Sequence, residues 1–254
     1  MKHLILKVIY LQLLRNAVFR KLFRNLRAKF LAATGHSDPY DDLATICRRT
    51  QADLFIDLGC PHGDALLRFV DAGVNCPIVA FDPVAKNLEI ASRRLARVPK
   101  IKFERLALSD EDGAAKFFIN RNEQTSSLLE NETGTVKSFG EDTAHVGVFE
   151  VTTKRLATWY DSQPNPRPNR IIIKCDTQGA EGLVIRGGLH VIRNHVSAFY
   201  AEVMLGDMYQ GQADFTSMRK LLEDECGLIL HKVYPCLQDS TGKAVQMDAL
   251  WIRV

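Results

Sequence analysis

Short apolar runs alternate along this chain with segments that have the length and composition of helices, and this alternation limits the fold more than any other feature. The apolar runs are the segments 54–58, 78–82, 101–106, 171–175 and 196–203. The helix candidates are the segments 64–72, 84–97, 180–194 and 212–225. Strands connected through helices lie parallel, with right-handed crossovers, in a doubly wound sheet. The sequence therefore predicts an α/β fold.

The end of the chain breaks this alternation. Segments 228–234 and 245–254 have the composition of strands, and the polar stretch between them is too short for a crossover helix. We expect them to close the sheet as an antiparallel pair. A long excursion, 107–169, separates the third and fourth parallel strands. It contains two candidate short strands, at 115–119 and 148–152.

Charge divides the chain into two parts. Residues 1–35 contain eight Lys or Arg and no acid, whereas residues 36–254 contain 25 basic and 30 acidic residues. On a helical wheel of the first part, apolar and basic residues fall on opposite arcs. The apolar arc holds Val18, Phe19, Leu22, Phe23, Leu26 and Phe30, and the basic arc holds Arg20, Lys21, Arg24 and Arg27. We predict a basic amphipathic helical leader, 1–35, followed by one domain, 36–254.

Two environments suit such a leader. It lies in the headgroup region of an anionic membrane through residues 4–31, or it packs on its own domain or on a second copy. The mostly apolar run 4–14 is shorter than the ~20 residues that span a bilayer. A cleaved signal peptide is disfavoured because basic residues continue to Lys29, and a mitochondrial presequence is a minor alternative. The sequence predicts a cytoplasmic protein, with peripheral membrane contact and oligomeric state left open.

Composition excludes several classes of protein. With 46% hydrophobic and 25% charged residues, the chain is neither disordered, collagenous nor a polytopic membrane protein. Its six cysteines form no CxxC pair, which disfavours a zinc knuckle or a redox dithiol. No histidine or acid spacing predicts a metal site. The net acidic body disfavours nucleic acid as a partner.

The first apolar run leads into the turn DLGCPHG, residues 57–63, which predicts a ligand site. Gly59 and Gly63 allow the backbone to turn sharply and approach a ligand at the carboxyl end of the sheet. The turn lacks the G-x-G-x-x-G spacing of dinucleotide folds, and the carboxylate of Asp57 would repel phosphate. Asp82 ends the next run, where an acid can accept both hydroxyls of a ribose. Together these residues indicate a nucleoside that carries an amino acid, such as S-adenosylmethionine.

Six blocks in order resemble the FkbM-type family of S-adenosylmethionine-dependent methyltransferases, over roughly residues 53–204. The blocks are DLGCPHG (57–63), VAFDPVAKNLEIASRRL (79–95), LALSDEDGAAKFFI (106–119), SSL (126–128), VTTKRLATW (151–159) and IIIKCDTQGAEGLVIRGG (171–188). The resemblance implies a Rossmann-like, seven-stranded, mostly parallel sheet with an antiparallel last strand. It also implies methyl transfer to an oxygen, often a hydroxyl of a sugar, a glycolipid or a small metabolite.

The resemblance also implies roles in cofactor binding. Asp57 and Gly59 would face the methionine part of S-adenosylmethionine, Gly63 would begin the helix beneath it, and Asp82 would hold the ribose. Ala107 and Ser109 would border the adenine. Pro61 departs from the asparagine common in the family and removes a backbone donor from the turn.

For catalysis, Asp176 at the tip of the fourth strand is the first candidate for positioning the acceptor or accepting its proton. Glu181 and Glu202 are the second candidates, and the histidines His62 and His145 are further alternatives. Ser126 and Ser127 match a family feature in the expected acceptor lid. Gln178 departs from the acid that is frequent in the family.

Two other functions compete with methyl transfer. The first is a binding or scaffolding protein at a membrane, built on a methyltransferase body that has lost its catalysis, which Pro61 and the leader favour. The second is a nicotinamide-dependent oxidoreductase, which the missing third glycine and Asp57 disfavour.

Overall fold

A computed structural model describes residues 38–238 and 242–254 of the chain. The predicted leader, 1–35, with its proposed membrane contact through 4–31, lies outside the described residues. Within them, the helices are α1 (Pro39–Thr50), α2 (Asp64–Asp71), α3 (Ala85–Arg94), α4 (Thr135–Phe139), α5 (Leu156–Asp161), α6 (Glu181–Arg186), α7 (Leu189–His195) and α8 (Phe215–Arg219). The strands are β1 (Leu54–Leu58), β2 (Ile78–Phe81), β3 (Ile101–Glu104), β4 (Ala107–Ser109), β5 (Gly113–Asn120), β6 (His145–Arg155), β7 (Ile171–Cys175), β8 (Val196–Met204), β9 (Ile229–Val233), β10 (Leu237–Gln238) and β11 (Ala244–Ile252).

The main sheet confirms the predicted α/β architecture. Its strands lie in the order β3-β2-β1-β7-β8-β11, and the first five are parallel. β11 runs antiparallel to β8, and β9 and β10 both pair with the far side of β11. The two-residue β10 makes this sheet eight-stranded within the described residues, one strand more than the resemblance implies. The carboxyl ends of β1, β2, β7 and β8 therefore lie along one edge.

The third apolar run, 101–106, is a strand only as far as Glu104, and the next strand, β4, belongs to a second sheet. β3 ends at Glu104, and β4 pairs in parallel with β6 instead of extending the main sheet. Both short strands expected in the excursion are present and longer than predicted, as β5 and β6. They pair antiparallel, with Phe117 opposite Phe149. The excursion therefore contains a small three-stranded sheet of its own.

The predicted helix 180–194 is two helices, α6 and α7, because two glycines are packed tightly between them. A Cβ on Gly187 would lie 2.0 Å from the carbonyl oxygen of Ser109. A Cβ on Gly188 would lie 2.6 Å from the Leu156 side chain. The predicted helix 212–225 begins later, at α8, and continues as a π-helical turn, Lys220–Glu225.

The structure adds α1, which was not predicted from the sequence. Asp38 caps this helix by accepting a hydrogen bond of 2.9 Å from the backbone N–H of Tyr40, and Pro39 occupies its first turn. Leu43 and Cys47 of α1 are buried against one face of the main sheet. The helix therefore covers that face and brings Tyr40 toward the carboxyl edge.

Apolar side chains fill both faces of the main sheet. Every residue of β1 and β7 is buried, as expected for central parallel strands. Alternate residues of β1 face opposite sides, with Ile56 in one hydrophobic cluster and Phe55 in the other. In the described part of the chain, no helix is both long and apolar enough to cross a membrane.

Candidate active site

A cavity of about 290 Å³ opens at the carboxyl edge of the main sheet. Its walls come from the ends of β1, β2, β7 and β8, and from the excursion. The apolar side of the wall contains Phe81, Leu106, Ala107, Leu108, Phe117 and Leu128. The polar side contains Asp57, Asp82, Asn87, Lys174, Asp176, Gln178 and Glu202. The cavity thus combines one apolar wall with a dense set of buried polar groups, as ligand sites do.

The turn after β1 is held against the turn after β7. Gly59 has a φ of 75°, and a Cβ on it would lie only 1.9 Å from the carbonyl oxygen of Asp176. Its N–H and that of Cys60 both donate to the carbonyl oxygen of Phe81, at 3.1 and 3.2 Å. Pro61 lines the cavity in the same turn. Glycine at 59 therefore allows three strand ends to converge on the cavity.

Lys174 is a buried cation in the middle of the polar groups. It lies on β7 directly opposite Asp57 of β1. Its Nζ is 3.2 Å from Asp57 Oδ1, 3.3 Å from Asp176 Oδ2 and 2.8 Å from the carbonyl oxygen of Gly59, to which it donates. Burial lowers the pKa of Lys174, but the two carboxylates outweigh burial and hold this pKa well above its usual value. Lys174 therefore carries a positive charge at neutral pH.

Asp57 lines the cavity, and its side chain is completely buried. Burial raises its pKa, and the opposing Lys174 ammonium limits the rise. Among the described residues, its charge is balanced by Lys174. A ligand would therefore meet Asp57 as one half of an ion pair and not as an isolated carboxylate.

Asp82 directly follows β2 beside the cavity and is almost fully buried. One oxygen accepts the N–H of Val84 at 2.8 Å, and both oxygens lie 3.2 Å from Nδ2 of Asn87. Burial raises the pKa of Asp82 to about 6, although these hydrogen bonds favour the charged form. At neutral pH the group is an ionised acceptor at the edge of the cavity.

Asp176 and Glu202 are joined by one amide group. Gln178 Nε2 donates to Asp176 Oδ1 at 2.9 Å and to Glu202 Oε2 at 2.6 Å. Gln246 Nε2 donates to the other oxygen of Glu202. Burial and the neighbouring carboxylates Asp176, Glu181 and Asp248 raise the pKa of Glu202 well above its usual value. The two carboxyl groups share a cavity but have different partners, since within the described part of the chain only Asp176 is beside a cation.

A tyrosine from the segment after β8 closes this cluster. Tyr209 Oη lies 3.1 Å from Gln178 Oε1 and 2.8 Å from the carbonyl oxygen of Thr125, and its one proton can go to either. Thr125 belongs to the excursion, so Tyr209 connects the excursion to the polar groups at the carboxyl edge of the main sheet.

The other predicted catalytic and adenine-binding residues are placed differently. Glu181 is buried but does not line the cavity; it accepts hydrogen bonds from Thr177 N at 2.6 Å and Thr177 Oγ1 at 3.0 Å. Burial raises its pKa to about 7. Ala107 lines the cavity, whereas Ser109 packs against Gly187 outside it.

Of the residues expected in the acceptor lid or as alternative bases, some line the cavity and others lie away from it. Ser126 lines it, and its Oγ accepts the N–H of Asn120 at 3.2 Å. Ser127 is buried behind it and accepts the N–H of Leu129 at 3.0 Å. His62 lies in the β1 turn, with Nε2 3.7 Å from Glu123 Oε2. His145 is exposed at the start of β6.

The family model for the methyltransferase FkbM domain matches residues 57–230, more than half of the chain. The chain belongs to the FkbM methyltransferase family. The match contains every strand end that borders the cavity. Membership supports methyl transfer as the activity and implies S-adenosylmethionine as the cofactor.

No curated protein matches the sequence. Among solved structures, this FkbM methyltransferase is similar to a precorrin-6y C5,15-methyltransferase from Geobacter metallireducens, with 12% identity, a TM-score of 0.46, and 86% of this chain and 89% of that chain covered. It is also similar to a TehB-like SAM-dependent methyltransferase from Corynebacterium glutamicum, with 12% identity, a TM-score of 0.42, and 92% and 98% covered. These similarities are weak, and the family assignment rests on the domain match.

The residues present fit S-adenosylmethionine. Asp82 supplies two carboxylate oxygens, as the two hydroxyls of a ribose require. The apolar wall around Ala107 and Leu108 suits a purine ring. Gly59 to Gly63 bring backbone close to the polar end, where Asp57, Lys174 and Asp176 can meet the charged amino acid part.

Lys174, Asn87 and Tyr209 were not predicted from the sequence as members of the site. A lysine inside the otherwise apolar run IIIKC was a usable signal, because a buried cation requires an acidic partner. Asn87 gave no such signal, because a spacing of five residues is not a helical repeat and Asp82 lies before α3. Tyr209 gave no local signal, because its position depends on how the segment after β8 packs on the excursion.

Proposed function

We propose that this FkbM methyltransferase transfers the methyl group of S-adenosylmethionine to a hydroxyl oxygen of a small molecule, a sugar or a glycolipid. The observation that carries the proposal is the pair of carboxyl groups, Asp176 and Glu202, joined through Gln178 in the wall of the cavity. A hydroxyl acceptor must lose its proton as the new oxygen–carbon bond forms, and a carboxylate can take it. In this proposal one carboxyl group aligns the acceptor hydroxyl and the other accepts its proton.

The two carboxyl groups have different roles in this proposal. Asp176, held by Lys174 at 3.3 Å and by Gln178 at 2.9 Å, is fixed in orientation and aligns the acceptor hydroxyl. Glu202 has no cation beside it among the described residues, and its raised pKa makes it a stronger proton acceptor once ionised. S-adenosylmethionine supplies an electrophilic methyl group when bound.

Charge in the cavity supports a neutral, hydroxylated acceptor. The carboxyl groups in the wall are Asp57, Asp64, Asp82, Glu123, Asp176 and Glu202, whereas Lys174 is the one Lys or Arg among the described residues that line it. Lys174 is already paired with Asp57 and Asp176. A phosphate or carboxylate on the acceptor would meet repulsion there. Sugars and other polyols carry no charge and therefore meet no such repulsion.

The experiment that tests this function follows transfer of a radiolabelled methyl group from S-adenosylmethionine to panels of polyols, glycosides, glycolipids and amines. We expect label on a hydroxyl of one of the first three panels. Glu202→Gln should lower the rate by about 10²–10⁴-fold, typical for loss of a group that takes the proton, and Asp176→Asn should lower it by about 10²-fold through loss of alignment. Glu111→Gln, at an exposed carboxylate outside the cavity, is the matched control. Label only on amines would contradict the proposal.

We further propose that the leader brings the enzyme to an anionic membrane. Eight Lys or Arg and no acid in residues 1–35 support this, since each basic residue near an anionic surface contributes about 1 kcal/mol. Such a location would give the enzyme access to glycolipid acceptors.

A further inference from the structure

We propose that Asn87 is a positioning residue for the cofactor: its side-chain amide fixes the orientation and charge of Asp82 so that this carboxylate can receive the ribose hydroxyls. The inference rests on S-adenosylmethionine being the cofactor. It concerns how this chain builds the ribose site, and it does not depend on the identity of the acceptor.

The geometry shows an amide group devoted to one carboxylate. Asn87 is 3% exposed on the first turn of α3, and its Nδ2 lies 3.2 Å from each oxygen of Asp82. The N–H of Val84 donates to Oδ1 at 2.8 Å. Donors from two directions thus restrict rotation of the Asp82 carboxylate about its last side-chain bond.

The other end of the same amide is left unsatisfied. Asn87 Oδ1 is buried and, among the described residues, accepts no hydrogen bond. If the Asn87 amide were rotated by 180°, its oxygen would face the Asp82 carboxylate and be repelled by it. Electrostatics therefore determine that Nδ2, and not Oδ1, faces Asp82. A buried acceptor without a partner destabilises a fold, and an apolar side chain in this place would avoid that cost. The asparagine is therefore better explained by its effect on Asp82 than by stability.

Asp82 needs this support because of its surroundings. Burial and the carboxylate of Asp57 disfavour its charge, whereas Lys174, the Val84 N–H and the Asn87 amide favour it. These are the charged and polar groups that face Asp82 from β1, β7, the β2 turn and α3. With its pKa raised to about 6, Asp82 is close to losing its charge at neutral pH, and loss of the Asn87 hydrogen bonds would move it closer.

The experiment is calorimetric titration of the wild type and Asn87→Leu with S-adenosylhomocysteine. Leucine has the same number of side-chain heavy atoms as asparagine and no hydrogen-bonding group. Glu89→Gln, at an exposed residue of the same helix, is the control. At pH 7.5 we expect Asn87→Leu to bind about tenfold more weakly. Wild-type affinity should fall below about pH 6, and this fall should begin at a higher pH in the variant.

A second pair of ligands separates positioning from a general structural effect. The wild type should prefer 5′-methylthioadenosine to its 2′,3′-dideoxy analogue, and Asn87→Leu should lose most of this preference while keeping its affinity for the dideoxy compound. A variant that melts like the wild type but weakens both ligands equally would overturn the inference, as would unchanged binding of S-adenosylhomocysteine. Failure of the folded wild type to bind S-adenosylhomocysteine would overturn it together with the cofactor. Failure to find a hydroxyl acceptor would contradict the proposed function alone.

Discussion

At the scale of single residues, the site depends on buried charges that balance one another. Lys174 compensates Asp57 and Asp176 at 3.2 and 3.3 Å, and without it the fully buried carboxylate of Asp57 would have no compensating charge among the described residues. Breaking such a buried pair by removing one partner destabilises a protein by about 3–5 kcal/mol. Lys174 therefore stabilises the fold and also supplies a positive charge to the wall of the cavity.

Glu181 gives a pH dependence that can be measured without any ligand. Its pKa is about 7 in the folded chain, above that of a glutamate in the unfolded chain, because burial disfavours its charge. The stability that this group contributes is complete below about pH 4.3, the unfolded value, and is lost as pH rises through 7. Between pH 5 and pH 8, the free energy of unfolding should fall by up to about 3 kcal/mol more in the wild type than in Glu181→Gln.

Urea unfolding of both proteins at several pH values checks this prediction. Glutamine keeps an oxygen for the Thr177 hydrogen bonds, so the two proteins differ mainly in the titrating group. Parallel stability curves across this range would show that Glu181 does not titrate as described.

At the scale of elements, the turn after β1 can exist only with glycine at 59. Gly59 and Gly211 have nearly the same φ, 75° and 72°, but a Cβ on Gly59 would overlap the Asp176 carbonyl, whereas Gly211 has open space. Gly211→Ala should therefore lose about 1–2 kcal/mol through backbone strain alone. Gly59→Ala adds the steric overlap, and we expect it to lose several kcal/mol more or to fail to fold.

The pair of glycine variants is compared by chemical denaturation, with S-adenosylhomocysteine binding measured on whatever remains folded. Equal losses of stability in the two variants would show that the close approach between the β1 and β7 turns is not required.

The sequence predicted elements well where one local pattern determined them. The apolar runs that became β1 and β7 have the observed bounds, because central parallel strands are buried on both faces and give unbroken apolar stretches. The prediction of a single helix over 180–194 was wrong, because Gly187 and Gly188 are packed against Ser109 and Leu156, which are distant in sequence. α1 was missed because its start, around Pro39, has the composition of a turn.

The same distinction applies to the candidate site. Asp57, Gly59 and Asp82 were placed at the cavity because each lies at or just beyond the carboxyl end of a strand, and strand ends meet at one edge of the sheet. The amide bridge between Asp176 and Glu202 was not predicted, since it depends on the left-handed backbone of Gln178, with a φ of 56°, and on Tyr209 from another segment. Tertiary contacts of this kind leave no periodic signal in a sequence.

At the scale of the whole molecule, the basic leader and the acidic domain should behave differently toward lipid. The full chain is expected to float with vesicles that contain anionic lipid and not with neutral ones, because the eight basic residues of 1–35 meet no acid in that segment. Binding should weaken in Arg20→Glu/Arg24→Glu and at high salt. Equal flotation with neutral and anionic vesicles, or none with either, would contradict the membrane proposal.

The central claim is that the carboxyl edge of the main sheet binds S-adenosylmethionine. Calorimetric titration of the wild type and of Asp82→Ala with S-adenosylhomocysteine tests it most directly. We predict micromolar binding by the wild type, a binding free energy of about −8 kcal/mol, and loss of that binding in Asp82→Ala with the fold retained. A well-folded wild type that binds no S-adenosylhomocysteine, or an Asp82→Ala variant that binds it equally well, would contradict the account.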